Sequence, residues 1–282
     1  MRYTLSLISL IVIGYATAQL QFDEKFASIP IPQMNHGIDN LDRGSSVYGD
    51  VDGDGDLDVF NFGRLYQPIS ILYLNDGNGV FSPSTSQFYI YGNSGEASFI
   101  DIENDGDLDI LIAGGQSNSL PIVNALYIND GLGNFSYSNS FELQIPQDFS
   151  SYGKLAIGDL DNDGFSDFIL TNKLNGVDSS RIFLNDQSGN FFQSTNQLPG
   201  YKSSHISGLL DFNSDGHLDF CFIDSYSSRL VVNLNNGNGN LSPSSPTFLS
   251  GLNIKRIAFE DFNNDDEVDF ISTVLDTNLG LY

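Results

Sequence analysis

The chain has 282 residues, with 36 Asp and Glu against 11 Lys and Arg, for a formal net charge of −25. Such a balance argues against nucleic acid as a partner, which would require a strongly basic surface. A lone cysteine, Cys221, rules out an intramolecular disulfide, and its place in the strand-like run from Leu218 to Ile223 marks it as a buried, inert thiol.

At the N-terminus, Met1-Arg2, the apolar run Leu5 to Ile13 and Ala16-Thr17-Ala18 form the three parts of a secretory signal peptide. The apolar run is short for a membrane span. Residues 1–18 are therefore expected to be cleaved near Gln19, with an uncleaved anchor as the alternative. Residues 19–282 are then exported, to the medium or the cell surface, with no span left after cleavage.

The next informative stretch is Asp50-Val-Asp52-Gly-Asp54-Gly55-Asp56-Leu-Asp58, with carboxylates at positions 1, 3, 5, 7 and 9 and glycine at position 6. Ca²⁺ takes six to eight oxygens, and alternate residues of a tight loop can turn theirs inward while glycine makes the sharp bend. The position-7 residue ligates through its backbone carbonyl. Position 12, where an EF-hand needs Glu, holds Asn61, and the chain runs into Val59-Phe60, so the loop exits into a strand.

The loop recurs four times, at 101–109, 159–167, 211–219 and 261–269, with first residues 51, 58, 52 and 50 positions apart. Its candidate ligands are Asp101, Glu103, Asp105, Asp107 and Asp109, then Asp159, Asp161, Asp163, Phe165 and Asp167. Loop four offers Asp211, Asn213, Asp215, His217 and Asp219, and loop five Asp261, Asn263, Asp265, Glu267 and Asp269. Isolated Asx residues also make metal-free turns, but five copies in near-constant register point to calcium, up to five ions. The five windows hold 22 of the 36 acidic residues, so the acidity reads as metal ligation.

A period near fifty residues calls for a repeat architecture. A short strand leads into each loop and an apolar strand leaves it. A third strand ends in a turn such as Leu72-Tyr-Leu-Asn-Asp-Gly-Asn-Gly79 or Leu126-Tyr-Ile-Asn-Asp-Gly-Leu-Gly133, and a fourth opens at Phe81, Phe135, Phe191 or Leu241. Asn-Asp-Gly between strands is a strong hairpin signal. Four strands per repeat without helical periodicity predict an all-β fold, a β-propeller of five repeats.

The DxDxDG loop followed by the Leu-Tyr-Leu-Asn-Asp-Gly-x-Gly-x-Phe hairpin resembles the FG-GAP/VCBS repeats of integrin-α-like propellers, over roughly residues 20 to 282. The resemblance implies calcium loops on one face of a propeller serving adhesion or ligand binding, without catalysis. The chain departs from it in having five repeats rather than seven, in Asp266 where the loops have glycine, and in Gln187, which interrupts the third hairpin.

The last repeat ends inside its third strand. Phe81, Phe191 and Leu241 are followed seven residues later by Phe88, Leu198 and Phe248, and Phe22 is followed by Ile29 in the same way, while Phe135 breaks the count with Glu142 there and Leu143 one later. Residues 20 to 30 are thus expected to supply the missing strand and close the ring, which removes exposed edges. The alternative is a piece of a longer propeller.

Propeller connectivity puts the loops and hairpins on one face. Arg64, Lys173, Arg181 and Arg229 fall in or beside turns of the other face, and Arg43, Lys154, Lys202, Lys255 and Arg256 in or beside the linkers between blades. Cations near the loops would compete with metal, which alone accounts for the segregation. The functional reading is a binding surface with Tyr66, Tyr201 and Tyr226, enlarged by the 114–124 turn and the 33–46 linker, suited to an extracellular protein or carbohydrate ligand. No catalytic constellation stands outside the loops, so an enzyme is not expected. A polysaccharide-active enzyme and a structural spacer of a larger surface protein are the alternatives.

Overall fold

The computed structural model describes residues 42–64, 68–88, 95–113, 124–138, 154–174, 177–198, 207–224, 229–244, 254–260 and 269–274, the last two stretches by their backbone alone. These residues form strands and turns, with no helix among them. Sheet one contains β1 (Asp42–Gly49), β2 (Asp58–Arg64), β3 (Pro68–Asn75) and β4 (Phe81–Pro83). Sheet two contains β5 (Glu96–Ile100), β6 (Asp109–Ala113), β7 (Asn124–Asn129) and β8 (Phe135–Tyr137). Sheet three contains β9 (Lys154–Gly158), β10 (Asp167–Leu174), β11 (Val177–Asn185) and β12 (Phe191–Gln197). Sheet four contains β13 (Ser207–Leu210), β14 (Asp219–Asp224), β15 (Arg229–Asn235) and β16 (Leu241–Pro243). Finally, β17 (Ile254–Glu260) pairs with β18 (Asp269–Val274).

Each four-stranded sheet is an antiparallel meander in chain order, the blade-like unit expected from the sequence. The first strands stand side by side in sequence order, β1 by β5, β5 by β9 and β9 by β13. The loops always bridge the same register pair: Gly49 with Asp58, Ile100 with Asp109, Gly158 with Asp167, Leu210 with Asp219 and Glu260 with Asp269. Residues 42–46, expected in a linker, are instead strand: the small Ser45 and Ser46 pair with Phe62 and Asn61.

Stacking buries both faces of the central strands, which is why β6 continues from Asp109 as the unbroken apolar run Ile110-Leu111-Ile112-Ala113, with every residue buried. Three core clusters fill the seams between consecutive sheets. The first joins Phe60, Phe62 and Leu72 to Ile110, Ala125 and Tyr127. The second joins Ile100 and Leu111 to Phe168, Leu170 and Phe183, and the third joins Ile169, Ile182 and Leu184 to Phe220, Phe222 and Val231. Burying side chains of this size contributes about 1.5–3 kcal/mol each.

The apolar residue seven positions after the start of strand four has a structural role. Phe88 folds back so that its ring meets Phe60 at 4.9 Å and Tyr127 at 5.0 Å, both edge-on, and Leu198 is buried in the seam between sheets three and four. The closing strand expected at residues 20 to 30 lies outside the described residues, as does the leader. Cys221 is buried as expected, and burial pushes its thiol up to about 12.

Candidate metal-binding loops

Loops one to four are built by one set of backbone bonds. The position-1 carboxylate accepts the N–H of position 5 on one oxygen and that of position 6 on the other. For Asp50 the distances are 3.2 Å from Asp54 and 2.9 Å from Gly55, and for Asp211 they are 3.1 Å from Asp215 and 2.7 Å from Gly216. Asp101 and Asp159 do the same. The position-5 carboxylate then accepts the N–H of position 7, as Asp54 does from Asp56 at 2.9 Å. Position 6 adopts φ of +94°, +95°, +91° and +89° at Gly55, Gly106, Gly164 and Gly216, which explains the glycine there.

Position 9 is the anchor. Asp58, Asp109, Asp167 and Asp219 are at most 1% exposed. One oxygen of each accepts the position-2 N–H, at 3.0, 3.1, 2.8 and 2.9 Å. The other accepts the N–H of the last residue of the third strand (Asn75, Asn129, Asn185 or Asn235), at 2.7 to 2.8 Å. Each carboxylate oxygen has a second lone pair to offer a cation. Burial pushes Asp109 up to about 8, with Glu103 adding to it, and Asp167 to about 7. Asp58 and Asp219 are raised for the same reason.

Position 3 is less fully satisfied. Asp52 and Asp161 each have one buried oxygen, Oδ1, with no hydrogen-bond partner. Both acids are raised, first by burial and then by the charge of Asp54 or Asp163. A buried, unpaired carboxylate oxygen among other carboxylates is costly unless a cation meets it. Ligand oxygens of Asp50, Asp52 and Asp54 lie within 4.8 Å of one another, as do those of Asp159, Asp161 and Asp167. The donor set is all oxygen, which suits a hard cation.

Loops two and four are arranged differently. Glu103, one carbon longer, shares a hydrogen bond with Asp109. Asn213 turns its amide nitrogen to Asp215 Oδ2 at 2.9 Å. In loop five, Asp261, Asn263, Asp265 and Glu267 lie outside the described residues, and Asp269 is placed by its backbone, opposite Glu260.

Each hairpin presses on its own loop. A Cβ added at Gly77 or Gly131 would collide with the carboxylate of Asp56 or Asp107, and one at Gly237 would meet the His217 ring at 2.5 Å. In the third repeat Phe165 replaces the polar residue and Gln187 the glycine. The hairpin forms nonetheless: Gln187 adopts φ +63° and donates from Nε2 to Asp163 Oδ2 at 2.9 Å. Its turn closes through Asp186 N to Asn190 O at 2.8 Å, as the others do.

A feature that turn chemistry alone does not reveal links successive repeats. The amide of Asn129 donates across the seam to the carbonyl of Val51 at 2.7 Å, position 2 of the preceding loop. Asn185 reaches Ile102 at 2.9 Å and Asn235 reaches Leu160 at 2.7 Å in the same way. The only sequence signal was the first Asn of each Asn-Asp or Asn-Asn hairpin. Asn162 of loop three adds a tie of its own, to the Gly237 carbonyl and to His217 Nδ1, each at 3.0 Å.

Backbone register places Arg64, Lys173 and Arg229 at strand ends away from the loops. Lys154 opens β9 there too and pairs with Glu96 at 3.1 Å. Arg181, expected beside a turn, pairs instead with Leu170 in mid-sheet, because β10 and β11 extend to a short connection at 175–176. Lys202, Tyr66, Tyr201 and Tyr226 lie outside the described residues.

Residues 50–112, 101–170 and 211–272 each match the FG-GAP-like repeat. No curated protein matches the chain. Among solved structures, the fold is similar to that of an Agrocybe aegerita lectin described for its specific recognition of non-reducing terminal N-acetylglucosamine. The TM-score is 0.49 at 20% identity, over 70% of this chain and 50% of that one. The chain thus spans about half the length of that protein.

Proposed function

The chain belongs to the FG-GAP-like repeat family, and on that premise we propose that it is an exported, calcium-stabilised β-propeller that binds an extracellular protein or carbohydrate. Calcium is structural in this reading. The carboxylates of positions 1, 3, 5 and 9 and the position-7 carbonyl would hold it in loops one to three, with the Asn213 or Asn263 amide oxygen at position 3 of loops four and five, and the ion would neutralise acids that the fold otherwise forces together. The observation that carries the reading is the buried, unpartnered oxygen of Asp52 and of Asp161 at the same position of two loops. Five repeats complete the ring, with residues 20 to 30 as the last outer strand.

The ligand surface lies opposite the loops, where Arg64, Lys173 and Arg229 stand at strand ends. Loops on a rigid scaffold are the usual place for recognition. No catalytic role is assigned to the chain. A glycan and matrix-protein array, with and without excess chelator, tests the reading. A specific hit should weaken when Arg64, Lys173 and Arg229 are all changed to Ala, with the melting temperature nearly unchanged. Binding that survives this triple change, or that is lost through loop-face changes without unfolding, overturns the assignment of the face.

A further inference from the structure

Hairpins two and four each touch two metal loops. They press on position 7 of their own loop, where Gly131 leaves no room for a Cβ against Asp107 and Gly237 none against His217. On the other side, hairpins two, three and four meet the loop of the preceding repeat. At position 2 the contact is the amide of Asn129, Asn185 or Asn235 on the carbonyl of Val51, Ile102 or Leu160. At position 3 it is the second glycine of the hairpin. A Cβ added at Gly133 would lie 3.3 Å from Asp52 Cβ, one at Gly189 3.7 Å from Glu103 Oε1, and one at Gly239 3.7 Å from Asp161 Cβ. At position 4 Asn162 donates to the Gly237 carbonyl at 3.0 Å, and a Cβ added at Gly53 would come 3.9 Å from the Gly131 carbonyl oxygen.

The candidate ligands of one loop are therefore held by two different repeats. Positions 1 and 9 are fixed by backbone N–H groups of their own repeat, as Asp50 is by Asp54 and Gly55, and Asp58 by Val51 and Asn75. Position 3 has the next repeat packed against its side chain, and it is there that Asp52 and Asp161 keep a buried oxygen without a partner. In loop three the residues on both sides of this ligand, Leu160 and Asn162, are also bonded to the next repeat.

We propose that hairpins two, three and four are positioning elements for the calcium sites of loops one, two and three, so that each of these loops takes its affinity from the repeat that follows it. This deepens the calcium reading and rests on it. A position-3 ligand already held in place needs less ordering when the ion arrives. Groups that orient metal ligands from outside are typically worth roughly 10–100-fold in affinity. The coupling is reciprocal, so an ion in one loop reinforces the seam to the next repeat by the same factor.

The test is a calcium titration of the full chain labelled with ¹⁵N-glycine. Each loop then has its own reporter, because the N–H groups of Gly55, Gly106 and Gly164 bond to the position-1 carboxylates. Asn129→Ala and Gly133→Ala should each weaken calcium at loop one roughly tenfold, while loop two, in their own repeat, stays near its original affinity. Asn185→Ala should weaken loop two and spare loop three. Gly189→Ala is the strain control: its φ of +76° matches the +73° of Gly133, but its Cβ makes only ordinary contact with Glu103, so loop two should hold its affinity. Melts in chelator identify any variant that is only less stable, whose loops would weaken alike. If no reporter in the unaltered chain responds to millimolar calcium, the calcium reading fails and this inference with it. If the unaltered chain binds but Asn129→Ala and Asn185→Ala weaken the loop of their own repeat, all loops alike or none, calcium stands and the positioning role is overturned.

Discussion

The asparagine ties give a graded prediction. Asn129→Ala removes donation to the Val51 carbonyl at 2.7 Å and the Leu108 carbonyl at 3.1 Å, from a side chain 7% exposed. A net hydrogen bond contributes about 1 kcal/mol, and a buried carbonyl left unpaired costs about 1–3 kcal/mol. Among the described residues the Val51 carbonyl has no other partner, so the expected loss is about 2–4 kcal/mol. Asn185→Ala, which frees Ile102 O, belongs in the same range. Asn235→Ala should cost less, about 1–2 kcal/mol, because Gly239 N also caps Leu160 O at 2.9 Å. In a chain of this size each kcal/mol shifts the melting temperature by about 2–4 °C. Circular dichroism melts at saturating calcium read the series directly. A shift for Asn129→Ala no larger than that of an exposed control such as Asn78→Ala would refute the idea that these side chains lock one repeat to the next.

Other expectations concern charge and backbone. In chelator, Asp109 at about 8 and Asp167 at about 7 hold protons that the unfolded chain, near 3.8, releases. Folded-state stability from these groups is therefore full below pH 4 and declines as pH rises toward 8, so the metal-free protein should melt higher at pH 5 than at pH 8. With calcium present the trend should invert, since protons compete for the same oxygens; identical pH trends in both conditions would contradict the loop assignment. Gln187→Gly removes the donor to Asp163 and should weaken calcium binding at loop three while relieving a positive φ, which calorimetry of single-loop knockouts can resolve. Asp266 stands where four loops have glycine at φ near +90°. Loop five should therefore be the weakest site, and Asp266→Gly should raise its affinity and stabilise the fold by about 1 kcal/mol. If removing Asp261 and Asp265 abolishes the tightest site, that ranking is wrong.

Much of this was legible because metal loops and hairpins are local. Carboxylates at alternate positions with a glycine at the bend, or Asn-Asp-Gly between apolar runs, specify backbone shape within ten residues. Position 6 at φ near +90° was thus readable from glycine alone. What stayed hidden depends on residues brought together across a seam. Asn129 reads as a turn residue until Val51, 78 positions earlier, is found under its amide. Gln187 looked like a defect because its hydrogen-bond partner, Asp163, lies 24 positions away. Nothing near Gly49 in the sequence points to Leu108, whose side chain leaves no room for a Cβ there. Position 9 was read as a ligand only. Its two backbone bonds show that it also joins the loop to the third strand before any cation binds.

The central claim is that the loops hold calcium and that calcium holds the fold. The most direct measurement is the calcium content of the purified chain, stripped and then dialysed against micromolar calcium, with a melt recorded on the same samples. The account predicts several bound ions per chain, up to five, with a melting temperature that falls steeply on stripping and returns on reloading. Loss of binding on changing Asp50, Asp52 and Asp54 together, or Asp159, Asp161 and Asp167 together, should remove about one ion each. A stripped protein that retains its melting temperature, or a chain that binds no calcium at millimolar concentration, would contradict it.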